Sequence, residues 1–383
     1  MRVAVNLLGL PSVRQGGAGF YCRMLVDGLE RSGEVETVIL GGEEVAAELS
    51  PERGRREVVG LRRGRQPRVR KVLELAVAAR DPRRYSDGYD AGGERLFSGC
   101  DLVHYPLSFT GPPPHRLPTV MTCMDLQHLE LPQAFSLQDR LLRSLRWNRA
   151  LRRADRIVAP SLHTRTALVE RLGIPASRVD VIPLACDDRF FEAAVRSPRV
   201  PGNFLFYPAS PLPAKNHERL AQAFSRVAGA HPTLRLALSG PVGHDWSPVE
   251  ASVRAAGIAD RVDFLGHLSF DELHSRYASA RALVFPSLFE GFGIPLVEAM
   301  ASGCPVVAGR VASIPEVVGE AAMLFDPRST TDLADAIERC LALSDGERER
   351  MIARARQRAE AFRVERMVHR TLESYQRVKA EAG

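Results

Sequence analysis

The sequence predicts an α/β protein of two domains, each built around a parallel sheet. Three observations carry that reading. A chain of 383 residues suits two domains of ordinary size. An apolar content of 45% supports sizeable cores. Short apolar runs alternate with helix-like stretches along most of the chain, which is the pattern of βα units.

The elements follow in order. Met1–Leu8 reads as a first strand, too short and too soon broken for a secretion signal. A glycine loop over 9–19 opens a helix from about Ala18 to Arg31, with Phe20, Met24, Leu25 and Leu29 as its apolar residues. Gly17 and Gly19 lie in this loop, which does not fit G-x-G-x-x-G, so a nicotinamide enzyme is disfavoured. Val35–Leu40 is the second strand. Residues 53–84 join a run of arginines (Arg62, Arg63, Arg65, Arg68, Arg70) to the apolar stretch 72–79. Two readings stay open there: a solvated loop with a packing helix, or a segment lying on a membrane surface.

Asp101–Tyr105 and Pro118–Met124 are strands. Asp125, Gln127 and His128 lie just past the second, where ligands sit in open α/β sheets. A helix over 136–153 leads to the strand Arg156–Pro160. Ser161 is the N-cap of the next helix, which stops near Gly173. Val179–Pro183 closes the first domain, and 184–201, rich in Asp, Arg and Pro, reads as a linker.

The second domain opens with Phe204–Tyr207. Lys215 stands at the following strand-to-helix junction, where its charge suits a diphosphate. The helix runs from about Asn216 to Gly229. Arg235–Gly240 and Val262–Gly266 are strand-like. Ser247-Pro-Val-Glu250 and Ser269-Phe-Asp-Glu272 both have the pattern of a capping box. Asp332–Leu343 is a helix, and the chain from Glu347 is helical almost to its end.

The densest chemistry lies in Pro286–Pro305. The apolar run Ala282–Phe285 is a buried strand, Gly291 and Gly293 make a turn, and Pro295 suits the first turn of a helix that stops at Gly303. A helix start at a sheet edge leaves N–H groups and partial positive charge for an anion. Glu290 and Glu298 frame the same point. Carboxylates beside an anion site need hydroxyl donors, and sugar hydroxyls supply them. A diphosphate carrying a sugar on each side uses both features.

This run, Phe-Glu-Gly-Phe-Gly-x-Pro-x-x-Glu-Ala-Met-Ala-x-Gly-x-Pro, resembles the signature of retaining nucleotide-sugar glycosyltransferases of family 4, which have the GT-B fold. The resemblance implies two Rossmann-like domains facing each other across a cleft, 1–185 on the acceptor side and 186–362 binding the donor. It implies a C-terminal helix, 363–383, packing back on the first domain. It implies sugar transfer from a nucleoside diphosphate sugar to an acceptor hydroxyl with retained anomeric configuration, in a mannosyltransferase-like enzyme. By the same resemblance Glu298 takes the nucleotide ribose. Glu290 and the backbone of Gly291, Phe292, Gly293 and Ile294 take donor-sugar hydroxyls, and Gly266 follows the strand whose exit loop touches the base. Gly17 and Gly19 border the donor phosphates and the acceptor, and Lys215 holds the diphosphate.

Two positions depart from the pattern. Many relatives carry Arg five residues before the Lys, where Ser210 stands; a subgroup ends the loop in Lys-Asn-His, as this chain does. The family segment His-Asp-Leu reads Met124-Asp125-Leu126, so Asp125 is kept and His128 is the nearest replacement for the missing His. Two rivals stay open: a sugar-nucleotide epimerase of GT-B-like fold, and a sugar-nucleotide-binding protein that has lost catalysis.

The formal charge is +6, an excess that suits anionic membranes, a lipid-phosphate acceptor or nucleic acid, though no helix-turn-helix, zinc or aromatic-sheet motif is present. No His or Cys cluster has zinc spacing, and neither a metal nor a cofactor is expected beyond the donor itself. The six cysteines lack Cys-x-x-Cys pairing and read as buried thiols in a reducing compartment. No apolar run approaches the ~18 residues of a membrane span. The expectation is a cytoplasmic protein, with peripheral contact at the inner membrane face through 53–84 under the second reading of that segment.

Overall fold

The computed structural model describes residues 1–14, 16–49, 56–61, 97–107, 117–196 and 202–382. They form two compact units, Met1–Ala185 with Val364–Gly383, and Cys186–Arg363.

The first unit holds a parallel sheet of β1 (Arg2–Asn6), β2 (Glu36–Gly42), β3 (Arg56–Leu61), β4 (Leu102–Tyr105), β5 (Thr119–Thr122), β6 (Arg156–Ala159) and β7 (Val179–Val181). The strand order is β3-β2-β1-β4-β5-β6-β7. β1 and β4 are buried along almost their whole length, as expected of strands covered on both faces. The helix Gly16–Ser32 buries Tyr21, Cys22, Leu25, Val26 and Leu29, one face at helical spacing. Its Gly28 lets the C-terminal helix Val364–Ala382 approach closely: a Cβ there would lie 2.4 Å from Val368 Cγ2. Below that contact runs a buried polar chain. Tyr375 Oη lies 2.6 Å from His104 Nδ1, His104 Nε2 lies 2.9 Å from Thr122 Oγ1, and Thr122 Oγ1 lies 3.0 Å from Tyr21 Oη. Burial alone pushes the His104 pKa down to about 3, so the ring stays neutral.

The second unit holds β8 (Phe204–Pro208), β9 (Arg235–Ser239), β10 (Val262–Phe264), β11 (Ala282–Phe285), β12 (Val306–Gly309) and β13 (Met323–Phe325), in the order β10-β9-β8-β11-β12-β13, again parallel. The helix His217–Ala228 buries Leu220, Ala221, Ala223, Phe224 and Val227. In each sheet the connections run outward in both directions from a central pair, β1/β4 in one and β8/β11 in the other. In open parallel sheets of this order, ligands bind at the carboxyl edge beside such a central pair.

Several expectations are corrected. Residues 184–201 are not all linker: Asp188–Arg196 is a helix, held because Phe190 packs on Phe270 at 4.8 Å and Tyr277 at 6.0 Å between ring centroids. Ser247 caps nothing; it lies inside its helix, and Asp245 Oδ1 accepts the Ser247 N–H instead. Ser269 with Glu272 does form a capping box, and Ser161 does cap its helix. The helix over 136–153 is Leu137–Arg143 and Arg149–Arg153, joined by a π-helical turn at Ser144–Asn148. The C-terminal run is two helices, Asp345–Ala359 and Val364–Ala382. Most of 53–84 falls outside the described residues; the part described, Arg56–Leu61, is β3, where Glu57 takes an ion pair from Arg2. All six cysteines are buried, and none forms a disulfide. No helix among the described residues is long and apolar enough to cross a membrane.

Candidate active site

The strongest cluster of chemistry sits at the β8/β11 switch point of the second unit. Lys215 ends the loop after β8, and Glu290 lies in the loop after β11. Because β8 and β11 are neighbours, the loops that follow them meet: Lys215 Nζ donates to Glu290 Oε1 at 2.6 Å. Their side chains are 24% and 12% exposed, so the pair is covered but reachable.

Residues that sequence reasoning passed over hold this pair. Asn216 takes φ of +60°, a left-handed conformation that Asn tolerates better than most residues. Its amide donates to the carbonyls of Pro286 and Pro327 at 2.9 and 2.8 Å, tying the loops after β8, β11 and β13 together. The Tyr207 hydroxyl donates to the Lys215 carbonyl at 2.9 Å and lies 3.1 Å from Ser287 Oγ. Leu288 N–H donates to the Ala214 carbonyl at 2.8 Å. Ser313 Oγ donates to the carbonyls of Glu290 and Phe292 at 2.9 and 3.2 Å. The sequence signal for Asn216 was the αL-tolerant residue between a 3₁₀ turn and a helix start; Ser313 stood in a stretch that continues the family pattern, and Tyr207 had no signal beyond its place at a strand end.

The Gly291–Gly293 turn delivers the helix Ile294–Ala301. Gly293 has φ of +98°, and a Cβ there would lie 2.9 Å from Leu296 Cδ1. No side chain caps this helix start. Glu298, partly exposed as a residue, accepts the Tyr277 hydroxyl at 2.8 Å. Burial pushes its pKa up to about 7, with the Tyr277 bond opposing the rise and the charge of Asp187 adding to it. His217 is buried against Tyr207 and Trp246, and burial together with the Lys215 charge holds it down to about 4. Gly266 is exposed after β10, and its carbonyl accepts the Gly240 N–H at 3.0 Å.

In the first unit, Gly17 is exposed and Gly19 buried at the start of the helix that follows β1. Asp125 lies just past β5, partly exposed, and Oδ1 accepts the Gln127 N–H at 2.9 Å. His128 is fully covered; Nε2 lies 3.1 Å from Asn148 Oδ1, and burial pushes its pKa down. Met124 is partly exposed beside Asp125.

Two family models cover this chain in tandem: "Glycosyltransferase Family 4" over residues 15–190 and "Glycosyl transferases group 1" over 189–358. The chain is similar to O-antigen chain mannosyltransferase B of Escherichia coli, 31% identical over 68% of this chain and 71% of that protein. It is similar to the MMP alpha-(1->4)-mannosyltransferase of Mycolicibacterium hassiacum, 30% identical over 61% of this chain; the match spans 57% of that relative. Anabaena HepE, solved in complex with UDP and glucose, superposes with a TM-score of 0.71 at 19% identity, covering 98% of this chain and 100% of that one. The two Rossmann-like units are those of the GT-B fold. The chain belongs to the group 1, family 4 glycosyltransferases.

Proposed function

We propose that the protein transfers a hexosyl group, of mannosyl type, from a nucleoside diphosphate donor to an acceptor hydroxyl, with retention and without a metal ion. The observation that carries this reading is the Lys215–Glu290 pair beside the uncapped start of the Ile294–Ala301 helix. A cation and a helix N-terminus serve the diphosphate; a carboxylate serves sugar hydroxyls. The two mannosyltransferase relatives support the sugar class, and HepE with UDP and glucose supports a nucleotide donor.

In this reading Glu298 accepts the ribose hydroxyls, oriented by Tyr277. Glu290 and the backbone of Gly291 to Ile294 hold the donor sugar, and Gly266 lies near the base. The bond from the anomeric carbon to the diphosphate oxygen breaks, and a bond to the acceptor oxygen forms on the same face. The acceptor proton passes to the leaving phosphate. Lys215 stabilises the charge that develops there, as preorganised groups do most effectively. The Gly17–Gly19 loop borders phosphates and acceptor. Asp125 faces the acceptor, with His128 behind it. The Lys-Asn-His loop supports membership of the subgroup that dispenses with the Arg at the Ser210 position, and Asn216 holds this loop through its bonds to Pro286 and Pro327.

Met124 and Ser210 favour a second reading, a nucleotide-sugar-binding protein without turnover. Thermal shift against uridine, guanosine, adenosine and thymidine diphosphates tests the donor site, because a ligand of the folded state raises the melting temperature. One nucleotide is expected to stand out, and no shift with any would end both readings. Release of nucleoside diphosphate from the matching sugar donor then separates transfer from binding.

A further inference from the structure

Arg143 is a half-buried cation with no ion pair among the described residues. Its guanidinium carbon lies 4.6 Å from the Phe135 ring centroid and 4.1 Å from that of Trp147, so it packs against two aromatic rings. Among the described residues its nitrogens make no hydrogen bond and no ion pair, and the same holds for the Arg140 side chain, one turn earlier on the Leu137–Arg143 helix. The carboxylates that influence Arg143 do so from a distance. Asp125 bonds the Gln127 N–H, and Asp139 accepts the Ser136 hydroxyl.

A cation held partly out of water without a hydrogen-bonded partner costs free energy unless a ligand completes it. A guanidinium packed on aromatic rings keeps N–H donors in its own plane, and these suit a planar or tetrahedral anion. The cluster is local: Trp147 also packs edge-on against His128 at 6.1 Å, and both arginines act electrostatically on His128, which follows Asp125 by three residues. The unpaired charge therefore stands beside the group assigned to the acceptor.

Resting on the transferase reading, we propose that the acceptor carries a phosphate group and that Arg143, assisted by Arg140, binds it. A free sugar phosphate and a lipid-borne phosphate share this chemistry. Arginine suits the role because its fork meets two phosphate oxygens at once and stays charged when partly buried.

Trp147 is a built-in reporter. The chain has 2 tryptophans, and Trp246→Phe leaves Trp147 alone. In that background, fluorescence is titrated with a hexose 6-phosphate, the free hexose, a monomeric alkyl phosphate and inorganic phosphate. The hexose phosphate or the alkyl phosphate is expected to change Trp147 emission saturably, and which one does so names the source. The free hexose and inorganic phosphate should bind about tenfold or more weakly. Arg143→Gln should weaken the response about tenfold or more, Arg143→Lys less, and Arg140→Gln least. Unchanged melting temperatures would show that the variants fold.

No response to either organic phosphate would overturn the proposal. So would a response that survives Arg143→Gln, or equal affinity for inorganic phosphate, which would mean an anion site that does not read an acceptor. Nucleoside diphosphate shifts report the second unit, so this failure leaves the donor reading standing.

Discussion

The two carboxyl edges treat charge in opposite ways. In the second unit Lys215 and Glu290 neutralise each other at 2.6 Å, and Asn216, Tyr207 and Ser313 fix both loops. In the first, Arg143 packs against two rings with no ion pair among the described residues, and His128 is buried against one of them, Trp147. A prebuilt pair suits a ligand whose chemistry is fixed, such as a sugar tied to a diphosphate. An unpaired charge on an irregular helix suits a partner that varies between relatives.

The largest effect that sharpens this contrast is on turnover. Lys215→Ala and Glu290→Ala should each lower transfer at least ~100-fold, the loss expected for one well-placed group at a developing charge. The double variant should be little worse than either single one, because the pair acts as a unit. Nucleoside diphosphate release measures both. Near-normal turnover in both single variants would dissolve the contrast.

Next comes the scaffold. Asn216→Ala should destabilise the second unit by about 2–4 kcal/mol, leaving two buried carbonyls unmet and putting Ala in a left-handed conformation. Asn216→Gly removes the bonds but not the backbone fit, and should lose about 1–2 kcal/mol less. Chemical denaturation read by Trp246 separates the two, and equal losses would assign the whole effect to the hydrogen bonds.

Acid should then separate the units. His104 stays neutral down to about 3 in the folded state. The unfolded chain takes that proton below its ordinary pKa of ~6.5, so the first unit loses stability as pH falls below that value. His128, also pushed down by burial, adds to the loss. In the second unit His217 acts the same way, but Glu298 opposes it. Its raised pKa contributes stability that is full below the ordinary carboxyl value and lost as pH rises through about 7. Acidification therefore restores at Glu298 what it removes at His217. Single-tryptophan variants should show the first unit weakening by ~1 kcal/mol per pH unit near pH 5.5, and the second changing less. The reverse order would contradict the burial assigned to His104. The smallest effect expected is none: EDTA should leave turnover unchanged, and inhibition reversed by magnesium would remove Lys215 from its proposed role.

Much of this was legible in the sequence where residues act locally. The run Phe289–Pro305 announced its strand, turn and helix because glycine, proline and apolar spacing are fixed by backbone conformation. The parallel sheets followed from apolar runs alternating with helices. What stayed hidden depends on contacts distant in the chain. Asn216 reaches carbonyls 70 and 111 residues away, and Tyr375 meets His104 across 271. Ser247 misled because its pattern fits a capping box while Asp245 competes for the same N–H. The helix at Asp188–Arg196 was masked by linker-like composition; tertiary packing of Phe190 and Phe191 outweighed it.

The central claim is that the second unit grips a nucleoside diphosphate through Lys215. Isothermal titration of the diphosphate giving the largest thermal shift tests it directly in wild type, Lys215→Ala and Arg143→Gln. The account predicts affinity about tenfold or more weaker for Lys215→Ala, and unchanged for Arg143→Gln. Equal affinity in wild type and Lys215→Ala would contradict it.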